Sequence, residues 1–226
     1  MDKILLVEDD MPLATATAFA LQAEGFDVVH AESLATARIY TEQEQIALVL
    51  LDVNLPDGVG YTFCKELRDG GKTIPVIFLT ALGEEVNVVQ GLDVGGDDYV
   101  TKPFRVRELI SRIKANLRRV QATVGTSEVL ACGPFSAQLN KHIVLHHGVD
   151  IRLTPSEFRL FVKLMQNKNS VLTRNQLLEE LWDIDGDFID DNTLSVYVRR
   201  LREKLGDDKE YISTVRGVGY MFVDKD

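Results

Sequence analysis

Cysteine is almost missing from this 226-residue chain: Cys64 and Cys132 stand far apart and outside any CxxC spacing. Neither a disulfide framework nor a thiolate zinc site is suggested, and two inert, buried or half-buried thiols in a reducing compartment are expected. Long apolar runs are missing as well. The longest are only a few residues, far short of the 18 or so that a spanning helix needs, so no membrane is expected as a partner. The opening MDKILLVEDD turns acidic after four apolar residues and has no basic n-region, so no signal peptide is expected and the cytoplasm is the expected location. An excess of positive charge is the third lack: 25 Lys+Arg against 35 Asp+Glu leave a net charge of −10. On that number alone nucleic acid would be rejected as a partner, because DNA binding rests on cationic neutralisation of phosphates. What is present, 45% hydrophobic and 27% charged residues, is the composition of an ordinary globular protein long enough for one large domain or two of about 100 residues.

The first 120 residues alternate between two kinds of segment. Short runs rich in Leu and β-branched residues (4–7, 26–29, 47–51, 75–79 and 99–100) recur at intervals of roughly 22 to 26 residues. Stretches with helical spacing lie between them. In 11–24 Leu13, Ala16, Ala20 and Leu21 make one stripe that Gly25 ends, and in 105–120 Val106, Leu109, Ile110, Ile113 and Leu117 make another. Five strand-then-helix units predict an α/β fold, a five-stranded parallel sheet wound on both faces, and the absence of polar alternation in the central runs suits strands covered on both sides. The small, polar stretch 121–127 lacks helical periodicity and reads as a linker between a domain at 1–120 and one at 128–226. In the latter, short alternating strands (129–147) precede three helical stretches (roughly 155–167, 174–182 and 191–205) and a terminal strand pair around Gly217 and Gly219, the order of a separate α+β domain.

In a parallel α/β sheet, ligands bind beyond the carboxyl ends of the strands where the strand order reverses. Glu8 and Asp9 follow the first strand and Asp52 the third. Carboxylates converging there repel one another unless a hard cation such as Mg²⁺ neutralises them. Thr80 after the fourth strand and Lys102 after the fifth add a hydroxyl and an ammonium. The set describes a phosphoryl acceptor: Asp52 attacks, Lys102 and the metal neutralise the transferring oxygens, and Thr80 hydrogen-bonds one of them. A phosphate-monoester hydrolase is the alternative, but it needs a general acid beside the nucleophile, and position 54 is Asn.

In the second half, 191–205 has Leu194, Val198, Leu201 and Leu205 on one stripe, with Asn192, Ser195, Tyr197, Arg199, Arg200, Arg202 and Lys204 expected opposite them. Residues 192–204 carry a local charge of +3. A helix C-terminus accounts for Lys204 through its dipole, but three arginines on a groove-sized face suit guanine edges and phosphates. The sequence 213–220 reads as a hairpin that exposes Arg216 and places it in a minor groove.

The motifs LLVEDD (5–10), LLDVNLPDG (50–58), FLTA (78–81) and DDYVTKPF (97–104) resemble the receiver domain of two-component response regulators. LTPSEFRLFVKLM (153–165), LTRNQLLEELW (172–182), DNTLSVYVRRLREKLG (191–206) and TVRGVGY (214–220) resemble the winged helix-turn-helix domain of the OmpR/PhoB subfamily. The resemblance implies a flavodoxin-like receiver and a winged-helix output domain. It implies Asp52 as the phosphorylated residue, and Glu8, Asp9 and the Asn54 carbonyl as further Mg²⁺ ligands. Thr80, Lys102 and Tyr99 take the switch positions, and Asn192, Thr193, Ser195, Tyr197, Arg199, Arg200, Arg202 and Arg216 the DNA contacts. It further implies a sensor histidine kinase, promoter DNA and a phosphorylation-dependent homodimer, with RNA polymerase reached through the acidic loop 183–190. The dimer face is that of the fourth helix, fifth strand and fifth helix: Val89, Leu92, Asp97, Asp98, Glu108, Arg112 and Arg119, with Asp98 pairing Arg112 and Asp97 pairing Arg119 across the interface. Val88, where a basic partner for Glu108 is usual, and Ser111, where a small apolar residue is usual, depart from that pattern.

Overall fold

A computed structural model describes residues 1–81, 91, 93–121, 129–181 and 191–225, the side chains of 118–121, 180, 191 and 192 excepted. The chain divides into two compact units, Met1–Leu117 and Arg118–Asp226. Both cysteines are free and buried.

In the first unit, β1 (Lys3–Val7), β2 (Asp27–Ala31), β3 (Leu48–Asp52), β4 (Val76–Ala81) and β5 (Asp98–Lys102) form one parallel sheet in the order β2-β1-β3-β4-β5. The expected five-stranded sheet is therefore present. Successive side chains of a strand point to opposite faces, and the core divides accordingly. Leu5, Val7, Val49, Leu51 and Phe78 pack on one face with Phe63 and Leu67 of the helix Gly60–Asp69. Ile4, Leu6, Leu48, Leu50, Ile77 and Leu79 pack on the other with Leu21 of the helix Met11–Ala23 and with Leu109, Ile113 and Leu117 of the helix Val106–Gln121. Chain order reverses between β1 and β3, so a crevice opens beyond their carboxyl ends.

The stripe expected on the helix Met11–Ala23 is shifted: Ala14, Thr17 and Leu21 are buried, while Ala16 is exposed and Phe19 is 75% exposed. This helix is apolar most of the way round, so spacing alone did not select its inner face. Its start is fixed by Asp10, whose carboxylate accepts from the Leu13 N–H at 3.0 Å, followed by Pro12 in the first turn. Val106 is likewise exposed at the start of the last helix.

The second unit pairs Val129–Cys132, Phe135–Gln138, Ile143–His146 and Val149–Asp150 as an antiparallel sheet. The helices Pro155–Gln166, Arg174–Leu181 and Asp191–Leu205 follow, and then a hairpin of Ile212–Val215 with Gly219–Phe222. Leu172–Thr173 adds a third strand to that hairpin. A Cβ on Gly219 would stand 1.9 Å from the Leu172 carbonyl oxygen, so only glycine permits this pairing. Among the described residues no helix is long and apolar enough to cross a membrane.

Candidate phosphoacceptor pocket and nucleic-acid interface

At the sheet crevice, carboxylate oxygens of Glu8, Asp9 and Asp52 lie within 4.8 Å of one another. Glu8 and Asp52 are buried and Asp9 is exposed. Strand register places these groups: β1 ends at Val7, one residue before Glu8, and Asp52 closes β3, opposite Leu79 of β4. Lys102 closes β5 and extends its Nζ between the two buried acids, 2.5 Å from Glu8 Oε2 and 2.7 Å from Asp52 Oδ2. The other Asp52 oxygen, Oδ1, accepts from the Asn54 N–H at 3.3 Å. Thr80, buried on β4, stands in register with Thr101, one residue before Lys102. The Lys102–Pro103 peptide is cis.

Burial pushes the Glu8 carboxyl up, and the neighbouring Asp52 adds to that, while the hydrogen bond from Lys102 opposes it. Burial would lower the Lys102 ammonium, but its hydrogen bonds to Asp52 and Glu8 and their negative charge outweigh burial and raise it. The ammonium therefore stays charged, and the pocket combines a fixed cation with three hard oxygen donors. Carboxylate oxygens without nitrogen or sulfur ligands match the preference of Mg²⁺. Chemically, the pocket can hold a nucleophilic carboxylate in place and neutralise an incoming phosphoryl group. His30, which spacing did not single out, donates its Nε2–H to the Glu8 carbonyl oxygen at 2.7 Å. Its one signal in the sequence is a polar ring near the carboxyl end of a strand, directly after Val28 and Val29. Tyr99 is half-buried on β5 and packs against the core face that holds Tyr61 and Phe78.

The face expected to dimerise differs from the expectation at Asp97. This residue is wholly buried, and its Oδ2 accepts from Arg68 Nη2 at 2.9 Å and from the Val76 N–H at 3.0 Å. Arg68 also donates to the carbonyls of Lys72, Ile74 and Gly95, so Asp97 belongs to an internal clamp on the loop before β4. Asp98 is also buried and pairs with Arg112 of its own chain at 2.9 Å, because β5 and the helix Val106–Gln121 are packed together within the unit. Glu108 pairs with the same Arg112 at 3.3 Å. Val88, Val89, Leu92 and the Arg119 side chain lie outside the described residues.

In the second unit the helix Asp191–Leu205 buries a wider arc than its leucine stripe suggests. Tyr197 and Thr193 are buried with the stripe and are not on the outer face. Arg200 is also turned inward, 5% exposed, with Nη2 at 2.7 Å from Glu157 Oε1. Lys204 reaches the other Glu157 oxygen at 2.6 Å. The physical reason is that the helix packs against Pro155–Gln166 on one side and Arg174–Leu181 on another, so residues flanking the stripe are covered too. Ser195, Arg199 and, on the hairpin turn, Arg216 are exposed as expected. Arg202 is half-buried and braces the helix to the hairpin, donating through Nε and Nη2 to the Ile212 carbonyl and through Nη2 to Thr214 Oγ1 at 2.7 Å. Asn192 and the acidic loop 183–190 lie outside the described residues or side chains.

Arg174 was not anticipated. Its guanidinium donates to Tyr220 OH at 3.1 Å and to Ser195 Oγ at 3.0 Å, and it stacks over the Tyr220 ring, with Arg202 also near that ring. A cation in the first turn of a helix opposes the helix dipole, and that misfit was the available signal. Together Arg174, Ser195, Arg199, Arg202 and Arg216 supply cations and donors from the helix Asp191–Leu205 and its surroundings.

A family model described as the response regulator receiver domain matches residues 4–114, and one described as transcriptional regulatory protein, C terminal, matches residues 148–222. Among solved structures, a cysteine-to-serine mutant of RitR is 30% identical with a TM-score of 0.78, over 98% of this chain and 99% of that one. DrrB of Thermotoga maritima, described as an OmpR/PhoB homologue, is 32% identical with a TM-score of 0.51, over 99% of both chains. The receiver domain of TorR, the response regulator of the TMAO respiratory system, is 34% identical with a TM-score of 0.51, over 53% of this chain and 98% of that one.

Proposed function

Since the chain belongs to the OmpR/PhoB-type response regulators, and is thereby a phosphorylation-regulated, DNA-binding transcription regulator, we propose that Asp52 is its phosphoacceptor and a sensor histidine kinase its donor. The observation that carries this reading is Lys102 Nζ held between Glu8 and Asp52 beside the buried Thr80.

An Asp52 carboxylate oxygen attacks phosphorus, the bond from phosphorus to the donor breaks, and an acyl phosphate remains on the chain. Asn54 N–H and Lys102 orient the carboxylate before attack. Lys102 then faces the transferring oxygens and neutralises part of their charge, and the Thr80 hydroxyl donates to one of them. Glu8, Asp9, Asp52 and the Asn54 carbonyl would hold Mg²⁺, which when bound supplies charge neutralisation for the phosphoryl oxygens. The added charge of roughly −1.5 to −2 at Asp52 draws Thr80 toward it and shifts Tyr99, which packs on the same face as Phe78.

That switch biases the face around β5 toward a homodimer in the cytoplasm. Asp98, Glu108 and Arg112, now paired within the chain, exchange partners across the interface. Two output units then bind promoter half-sites about one helical turn apart, Ser195 and Arg199 in the major groove and Arg216 in the minor groove. The pocket is a regulatory acceptor with at most slow loss of its own phosphoryl group, a reading supported by Asn54 standing where a general acid would be needed. Contact with RNA polymerase falls to the second unit.

The test is intact-mass measurement after incubation with a small acyl phosphate and Mg²⁺. Wild type gains one phosphoryl group and Asp52→Asn gains none; retained labelling in the variant would overturn the assignment. Selection of bound DNA from a random pool, with and without the phosphodonor, tests the coupling to DNA.

A further inference from the structure

Outside the acidic pocket, a second group of metal-ligating side chains converges in the second unit: His146, His147 and Asp208, with one ligand atom of each within 4.8 Å of the others. None of the three takes part in the phosphoacceptor or DNA-binding roles above. His146 ends the strand Ile143–His146 and pairs in register with Phe135. Its ring stacks on the Phe135 ring, centroids 4.7 Å apart and 18° from parallel, which holds its orientation. Consecutive residues of a strand point to opposite faces, so adjacent histidines do not ordinarily share a ligand. Here the strand ends and His147 adopts φ +49°, with its N–H bonded to the Pro134 carbonyl, and the turn returns its ring to the side of His146, 4.6 Å away. Asp208 comes from the 3₁₀ segment Gly206–Tyr211 that follows the helix Asp191–Leu205.

Both histidines direct Nε2 at the same carboxylate oxygen, Asp208 Oδ2, at 2.8 and 3.3 Å. With metal–donor bonds of about 2.0–2.1 Å, neighbouring donor atoms stand about 2.9 Å apart at right angles and about 3.3 Å apart in a tetrahedron. Both histidine–carboxylate spacings therefore suit a shared ion. The His147 side chain is 70% exposed, leaving a path for an ion and for water in the remaining coordination positions.

We propose that His146 Nε2, His147 Nε2 and an Asp208 carboxylate oxygen form a binding site for a divalent transition ion of the Zn²⁺ class. Two imidazoles and one carboxylate favour such ions over Mg²⁺ or Ca²⁺, which take oxygen ligands. Each ring binds through Nε2 and keeps its remaining N–H on Nδ1. The bound ion clips the carboxyl end of the inner strand Ile143–His146 to the segment joining the helix Asp191–Leu205 to the hairpin strand Ile212–Val215. Because the site needs the folded arrangement, binding stabilises the second unit without phosphorylation.

The experiment is calorimetric titration of the full chain with Zn²⁺ in excess Mg²⁺, comparing wild type, His147→Ala, Asp208→Asn and Glu8→Gln. His146 is left intact because its ring is packed on Phe135. Loss of a ligand weakens Zn²⁺ binding by roughly 10–100-fold in His147→Ala and Asp208→Asn, while Glu8→Gln retains wild-type affinity for the site. Equal affinity in wild type, His147→Ala and Asp208→Asn, loss confined to Glu8→Gln, or no binding by wild type overturns the proposal. Circular dichroism confirms that each variant is folded. In the same proteins Co²⁺ supplies a second readout: visible absorption bands present in wild type and absent in His147→Ala.

Discussion

Arg200 Nη2 lies 2.7 Å from Glu157 Oε1, with the carboxylate wholly buried and the guanidinium almost so. Glu157 sits in the first turn of Pro155–Gln166, where its Oε2 also accepts from the Thr154 N–H at 2.8 Å. One acid thus closes a helix start and anchors the helix Asp191–Leu205. Arg200→Ala is therefore expected to destabilise the second unit by about 3 kcal/mol, because it strips a partner from a buried charge. Denaturant unfolding checks this; unchanged stability with lost DNA binding would return Arg200 to the groove.

The same carboxylate sets an acid limit on stability. Burial alone would push Glu157 up, but the charges of Arg200 and Lys204 overcome it and hold the folded pKa below the usual value. A depressed carboxyl contributes stability above its unfolded pKa of about 4.3 and loses it as pH falls through the folded value. The melting temperature of the second unit is expected to fall as pH drops below about 4, and Glu157→Gln is expected to be less stable at neutral pH with a flatter acid slope. Parallel slopes for the two proteins would remove Glu157 as the cause.

In the phosphoacceptor pocket, Lys102→Ala is expected to slow phosphoryl uptake from a small acyl phosphate by about 10²–10³-fold, the usual cost of removing one donor from a developing charge. Intact-mass time courses measure the rate, and an unchanged rate would place charge neutralisation elsewhere in the pocket.

Arg199→Ala and Arg216→Ala each remove an exposed cation and are expected to weaken promoter binding by about 1–3 kcal/mol without loss of stability. Titrations at several salt concentrations separate the two roles. Loss of a phosphate contact lowers the salt dependence, whereas loss of a base contact relaxes sequence preference.

Asp57 offers a test of local structure near the pocket. Its two oxygens accept from the Leu34 and Ala35 N–H groups, both at 2.9 Å, while Ser33 accepts from the Thr36 N–H at 3.2 Å. Three of the four open donors of the helix Leu34–Gln43 are satisfied in this way. Asp57→Ala is expected to cost about 1 kcal/mol, measured by thermal unfolding of the full chain.

The sequence by itself determined the sheet and its pocket. Uninterrupted apolar runs such as 48–51 can be covered only on both faces, and polar groups that follow such strands gather at one edge. Glu8, Asp52, Thr80 and Lys102 were legible for that reason. The sign of the charge was misleading, because the first 122 residues carry 12 basic and 19 acidic residues and the remainder 13 and 16, while the output unit still exposes Arg199 and Arg216. Tertiary structure alone decided which polar residues are surface groups. Asp97 is drawn inward by Arg68, and Arg200 by Glu157, from positions 29 and 43 residues away in sequence. Periodicity describes one element at a time, whereas burial depends on every element packed around it. The meeting of His146 and His147 with Asp208 is of the same kind: a left-handed residue at a strand end and a distant 3₁₀ segment bring together groups whose spacing in the chain carries no metal-site pattern.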